Sequence, residues 1–187
     1  MSIPIIAVIL RVLWFIAEMI HAARHKFLTP IKNRDRASLN IFRAATLAVP
    51  VGVIVGFTEV GRIHTGSNVL GVVGIALLLT GILIRWTAIS TLGPYFTRTV
   101  AILEGHRIVR NGLYKHLRHP SYTGCLLGDM GLGIALSNWL SLVIIFMPAL
   151  AATLYRISVE ERALLESFGD EYLEYAKGTK RMVPKVY

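Results

Sequence analysis

The feature that most constrains this chain is a series of long apolar runs separated by short segments rich in Lys and Arg. A spanning helix needs about 20 mostly apolar residues. The first candidate is Ile3 to Ile20, interrupted by Arg11 and Glu18. It lacks the basic leader and small-residue cleavage site of a signal peptide, so it reads as a span. The second runs from Ile41 to about Val60 and contains Pro50, Gly52 and Gly56. The third, Val69 to Leu92, carries Gly71, Gly74 and Gly81, a spacing that lets helices approach closely in lipid. The last apolar block, Tyr122 to Tyr155, is too long for one span and is broken at Ser137-Asn138, which predicts a tight helical hairpin. Its first arm, Tyr122 to Leu136, is short for a full crossing.

The expected fold class is therefore an all-α integral membrane protein with five transmembrane helices, the last two a hairpin. Composition agrees: 54% of residues are hydrophobic and 17% charged, against roughly 25% charged in an average soluble domain. The net charge of +9 does not form a stripe on a soluble module, so nucleic acid is not the expected partner. The cations lie between spans instead. Residues 22–43 hold six Lys/Arg, residues 93–121 hold five and residues 156–187 hold six, whereas the opposite side has Arg62 alone. With five spans these segments share one side, which the positive-inside rule makes cytoplasmic, with the N-terminus outside. The single cysteine, Cys125, leaves no internal disulfide and no cysteine zinc cluster.

Two polar segments flank the hairpin. One is Gly93 to His119; the other begins at Arg156 and reads as one amphipathic helix, with Leu164, Leu165, Phe168, Tyr172 and Tyr175 at helical spacing. A hairpin brings its ends together, so Arg118/His119 and Arg156/Glu160 are expected to be neighbours. Pro120 suits the first turn of the fourth helix, and the residues before it then sit at a helix N-terminus, which favours an anionic group. Arg118, His119, Tyr114 and Tyr122 also read as interfacial anchors. Arg156 and Glu160, four apart, also read as an ordinary helix-surface pair, although a cation directly after an apolar span is costly without an anion. Asp129 within the hairpin is expected to make a helix–helix hydrogen bond or to pair with Arg85. Arg11, Glu18, Arg85 and Asp129 are not obviously clustered.

The run Gly112-Leu113-Tyr114…Arg118-His119-Pro120-Ser121-Tyr122-Thr123-Gly124, followed after a hairpin-length gap by Glu160-Glu161-Arg162-Ala163-Leu164-Leu165…Phe168-Gly169-Asp170-Glu171-Tyr172-Leu173-Glu174-Tyr175, resembles the isoprenylcysteine carboxyl methyltransferases, within a broader group that includes phospholipid methyltransferases. The resemblance covers about residues 93–184. It implies an S-adenosylmethionine-dependent enzyme that methylates the carboxylate of a C-terminal isoprenylcysteine reached from the bilayer, yields S-adenosylhomocysteine and uses no metal. It divides the chain into three N-terminal helices, 1–92, and a catalytic region, 93–187, with a cytoplasmic cofactor pocket. The family's cofactor contacts map onto His106, Arg107, Ile108, Val109, Tyr114, His119, Pro120, Ser121, Tyr122 and Glu160, with Glu161 the adjacent alternative to Glu160. The arginine of the acceptor carboxylate maps to Arg156, as the catalytic and substrate-binding residue. The compartment is the plasma membrane in a prokaryote or the endoplasmic reticulum in a eukaryote. Two other readings stay open: a phospholipid amine methyltransferase, which Arg156 disfavours by repelling an ammonium, and a transporter or scaffold with a degenerate cofactor site. The strand–Gly-x-Gly–helix unit of soluble nucleotide-binding folds is absent from the sequence.

Overall fold

The computed structural model of the chain describes residues 2–24, 32–33, 36–97, 101–102, 105 and 107–183. Among the described residues seven α-helices run in the order α1 Ile3–Arg24, α2 Arg36–Thr46, α3 Ala48–Gly56, α4 Ser67–Leu92, α5 Pro120–Ala135, α6 Trp139–Phe168 and α7 Asp170–Gly178. Four stretches among the described residues are long and apolar enough to cross a membrane: Ile3–Arg24, Ser38–Gly56, Ser67–Tyr95 and Trp139–Phe168. At 16 residues, α5 is only about 24 Å long and falls short of that length.

The second span departs from the expected Ile41–Val60. It starts earlier and is interrupted at Leu47, between α2 and α3. Pro50 explains the break, because it has no N–H to donate to the carbonyl four residues back, at Thr46. The C-terminal polar segment differs as well. Arg156 and Glu160 lie within α6, which continues unbroken from the hairpin to Phe168. Gly169, at φ 52°, ends α6 and starts α7, so the expected single amphipathic helix is two.

The glycines of α4 and α5 decide how the core closes. A Cβ at Gly74 would stand 2.3 Å from the Ala135 nitrogen, and one at Gly81 would stand 2.5 Å from the Gly128 nitrogen. From the other helix, a Cβ at Gly131 would meet the Leu78 nitrogen at 2.4 Å and one at Gly124 the Arg85 nitrogen at 2.7 Å. The two backbones are thus in direct contact along about three turns. Without a hydrophobic drive inside lipid, such close packing is what holds helices together. Leu78, Leu132, Ala135 and Ile145, all fully buried, fill the space around the seam with Ala7 and Trp14 of α1.

The hairpin turns at Ser137 and Asn138. Asn138 caps α6 by accepting from the Ser141 N–H at 3.0 Å and donates to the carbonyls of Val60 (2.8 Å) and Val55 (3.2 Å). Ser141 donates to the Gly52 carbonyl at 2.7 Å, so the tip is fastened to α3. At the other end of the bundle, Lys32–Asn33 pairs antiparallel with Ala101–Ile102, and Leu117 bridges Lys180. The described parts of the three basic segments therefore share one end of the molecule, and Arg62, bridged to Asn138, lies at the other.

Candidate active site

A cavity of about 560 Å³ opens among α1, α2, α4, α5, α6, α7 and the linker before α5. Of the sequence-derived candidates, Arg107, Ile108, Val109, Tyr114, His119, Ser121, Tyr122, Glu160 and Arg156 all line it. Pro120 does not; it occupies the first position of α5, and its contribution is to start that helix. His106 lies outside the described residues.

The hairpin sets the meeting of the two polar segments. His119 immediately precedes α5 and is 3% exposed. Its Nδ1 stands 4.0 Å from Glu160 Oε1 and its Nε2 3.3 Å from Glu161 Oε1. The two neighbouring glutamates face different surroundings. Glu161, 14% exposed, accepts from Arg118 Nε at 2.9 Å and from Arg181 Nε and Nη2 at 2.9 and 2.8 Å. Arg118 also donates to the carbonyls of Ala176 and Thr179, at 3.0 and 2.6 Å, which satisfies the end of α7. The segment after α7 is laid against the start of α5 by backbone bonds from Arg118 to Lys180 (2.7 Å) and from His119 to Arg181 (2.9 Å). Glu161 is thereby the centre of a closed polar knot. Glu160, 31% exposed, keeps its carboxylate on the cavity wall.

Arg156, 4% exposed, is joined to Glu160 through a third residue. Its Nε donates to the Tyr122 hydroxyl at 2.8 Å, and that hydroxyl donates to Glu160 Oε2 at 2.7 Å. The guanidinium also donates to Ser38 Oγ at 3.2 Å and lies 5.7 Å from the Phe42 ring centroid. The i,i+4 pair expected from sequence is therefore a relay, Arg156 to Tyr122 to Glu160. Tyr122 belongs to both halves of the site.

The four intramembrane charges, not obviously clustered in sequence, meet in two pairs. Asp129 makes the helix–helix hydrogen bond that was one of its two expected contacts, with Arg11 at 3.0 Å, and does not pair with Arg85. Arg85 makes a two-pronged pair with Glu18, at 2.8 and 3.1 Å, and donates to Ser121 Oγ. All four charges line the cavity. Arg11, Trp14 and Glu18 recur at three- and four-residue spacing, so one face of α1 meets α4 and α5. The signal available in sequence was the presence of ionisable residues inside apolar spans; their pairing depends on how α1 docks. Ser38 and Phe42 on α2 carried no signal at all.

Outside the spans, burial and the Glu160 charge push the Tyr114 phenol well above its usual range, so it remains an O–H donor at neutral pH. Tyr175 is pushed up to about 12 by burial and donates to the Tyr114 carbonyl at 2.8 Å. Two buried polar atoms of the cavity-lining residues, Trp14 Nε1 and the Tyr172 hydroxyl, have no hydrogen-bond partner among the described residues. Among the described residues no cluster of His, Cys, Asp or Glu is arranged to hold a metal ion.

The comparisons with known proteins converge on the same region. Residues 73–166 match the model of the isoprenylcysteine carboxyl methyltransferase family. Protein-S-isoprenylcysteine O-methyltransferase B of Arabidopsis thaliana is 36% identical over 115 residues, which are 60% of this chain and 58% of that protein. The enzyme of the same name from Saccharomyces cerevisiae is 38% identical over 106 residues, 56% of this chain and 44% of its own. A solved structure of the eukaryotic intramembrane Ras methyltransferase of this family superposes with a TM-score of 0.55 at 30% identity, covering 80% of this chain and 50% of that one. The chain thus spans between two fifths and three fifths of the length of these relatives. The apolar helices and this neighbour make it an integral membrane protein. The matched stretch contains α5, the hairpin and both residues at the ends of the Arg156–Glu160 relay, and on these grounds the chain belongs to the isoprenylcysteine carboxyl methyltransferase family.

Proposed function

We propose that this protein transfers a methyl group from S-adenosylmethionine to the terminal carboxylate of an isoprenylcysteine. The observation that carries the reading is the relay: one cavity holds an arginine suited to a carboxylate and, two hydrogen bonds away, a carboxylate suited to a cationic, hydroxyl-rich cofactor. The residues fit that cofactor by donor and acceptor type. Glu160 offers an anion to ammonium or ribose hydroxyls, and His119, Tyr114 and the first turn of α5 with Ser121 and Tyr122 offer polar groups to a carboxylate. Ile108 and Val109 offer apolar contact to a purine, with Arg107 beside them. His106 and Pro120 complete the set, Pro120 through the shape of the helix start.

S-adenosylmethionine supplies the electrophilic methyl on a sulfonium. The acceptor carboxylate is already ionised at neutral pH, so the protein needs no general base. Arg156 receives it with a planar fork of donors. Tyr122 and Ser38 hold that fork in one orientation, and the membrane-buried walls exclude water, which raises the value of positioning. The prenylated substrate comes from the bilayer, and the cofactor from the cytoplasm. In this reading α5 is a fifth, short crossing, residues 93–187 form the catalytic region, and the end of the molecule bearing three basic segments is cytoplasmic.

The test is radiolabelled methyl transfer by the purified protein in detergent, with a farnesylcysteine analogue and phosphatidylethanolamine offered side by side. Label is expected in the base-labile methyl ester of the former. Label in the phospholipid amine instead would overturn the assignment of Arg156.

A further inference from the structure

Two ion pairs within the apolar spans call for a use, since charges there are costly and are usually spent on function. The Arg85–Glu18 pair is engaged by Ser121 at the start of α5. The Arg11–Asp129 pair lies deeper. Along α5 the cavity wall passes Ser121, Tyr122, Cys125 and Asp129 and ends there; along α1 its deepest residue is Arg11. Eight helical residues separate Ser121 from Asp129, about 12 Å of depth. At that level the Arg11 guanidinium carbon lies 4.9 Å from the centroid of the Trp14 ring. Trp14 in turn is pressed onto α5 at a glycine: a Cβ on Gly128 would stand 2.4 Å from the ring.

We propose that the Arg11–Asp129 ion pair and the Trp14 ring form the floor of the acceptor chamber and set the longest apolar tail that it admits. The proposal rests on the carboxyl methyltransferase reading, which places the acceptor carboxylate at Arg156, next to Tyr122. From Tyr122 to Asp129 is two helical turns, about 10 Å, walled by apolar Phe15, Phe42 and Cys125. An ion pair suits a floor because it does not yield. Apolar side chains make room for a longer ligand by changing rotamer at small cost. Parting Arg11 from Asp129 would instead leave two charges unpaired in a water-poor site. A tail that reaches the floor must stop or bend.

The experiment uses the full chain in detergent and S-alkylcysteine acceptors of increasing, unbranched tail length. Two readouts run in parallel: methyl transfer, and displacement of a fluorescent S-alkylcysteine from the cavity. For the wild type, potency is expected to rise with length and then to fall on the order of tenfold once the floor is reached, as pockets do when a ligand is too long. Trp14→Ala lowers the floor and is expected to move the break to longer tails. Gly128→Ala drives the indole into the chamber and is expected to move it to shorter ones. Arg11→Gln combined with Asp129→Asn keeps size while removing charge, and is expected to blunt the break. A pair that merely staples α1 to α5 would change melting temperature and leave the break where it was. The same break in all folded variants, or none in the wild type, overturns the proposal. If displacement shows the shifted breaks while no acceptor is methylated, the floor stands and the methyltransferase reading falls.

Discussion

Glu160 and Glu161 are adjacent and chemically identical, and the structure predicts opposite consequences for neutralising them. Glu161 accepts from two guanidinium groups and lies 3.3 Å from His119 Nε2. Removing one partner of a buried ion pair typically costs about 3–5 kcal/mol, because the other charge is stranded. Here the penalty is smaller: Arg181 is 39% exposed and rehydrates, and Arg118 keeps two carbonyl acceptors. Glu161→Gln should therefore cost about 2–3 kcal/mol, at or just below the bottom of that range. For a chain of this size that is a melting temperature lowered by roughly 5–10 °C. Glu160→Gln keeps an acceptor for the Tyr122 hydroxyl and sits on the cavity wall. It should leave melting within about 2 °C of wild type, the scatter expected of a change below 1 kcal/mol, and weaken S-adenosylhomocysteine binding by about tenfold or more, the loss of one charged contact. Thermal unfolding in detergent and calorimetry with S-adenosylhomocysteine measure the two quantities on the same preparations. Equal melting losses in the two variants, or lost cofactor affinity in Glu161→Gln at unchanged melting, would refute the division of labour between them.

Arg156→Ala should depress methyl transfer by about 2–5 kcal/mol of activation free energy, the loss typical of a charge pair with one partner removed, with S-adenosylhomocysteine binding little changed by calorimetry. Arg156→Lys should recover only part of the rate, since a point charge does not reproduce the planar fork. Gly81→Ala would set a Cβ 2.5 Å from the Gly128 nitrogen, and should destabilise the α4–α5 seam by about 1–3 kcal/mol in reversible unfolding, because backbone cannot step aside as a side chain can. In a background with Cys125 replaced, a cysteine at Lys177 should react with an impermeant probe from the cytoplasmic face and one at Arg62 from the opposite face; reaction of both from one side would remove the five-crossing topology.

Much of this protein is legible in its sequence because lipid leaves few choices. Apolar runs in a bilayer must become helices, since every backbone group has to find an internal partner, and the break at Ser137-Asn138 then closes a hairpin that brings His119 and Tyr122 to Glu160. The glycine spacing of the third run announced the close packing of α4, although which helix it would meet was not written there. Local chemistry moved boundaries: Pro50 interrupts the second span, and Gly169 divides the C-terminal helix. What only the tertiary structure decided is the partner of each charge. Asp129 was expected to make a helix–helix hydrogen bond or to pair with Arg85; the docking of α1 gives it the first, with Arg11, and Arg85 holds Glu18. The same holds for Ser38 and Phe42, which reach Arg156 from α2. Periodicity states which face of a helix is polar; it does not state which helix that face will meet, since pairing energy depends on distances that exist only once the bundle has closed.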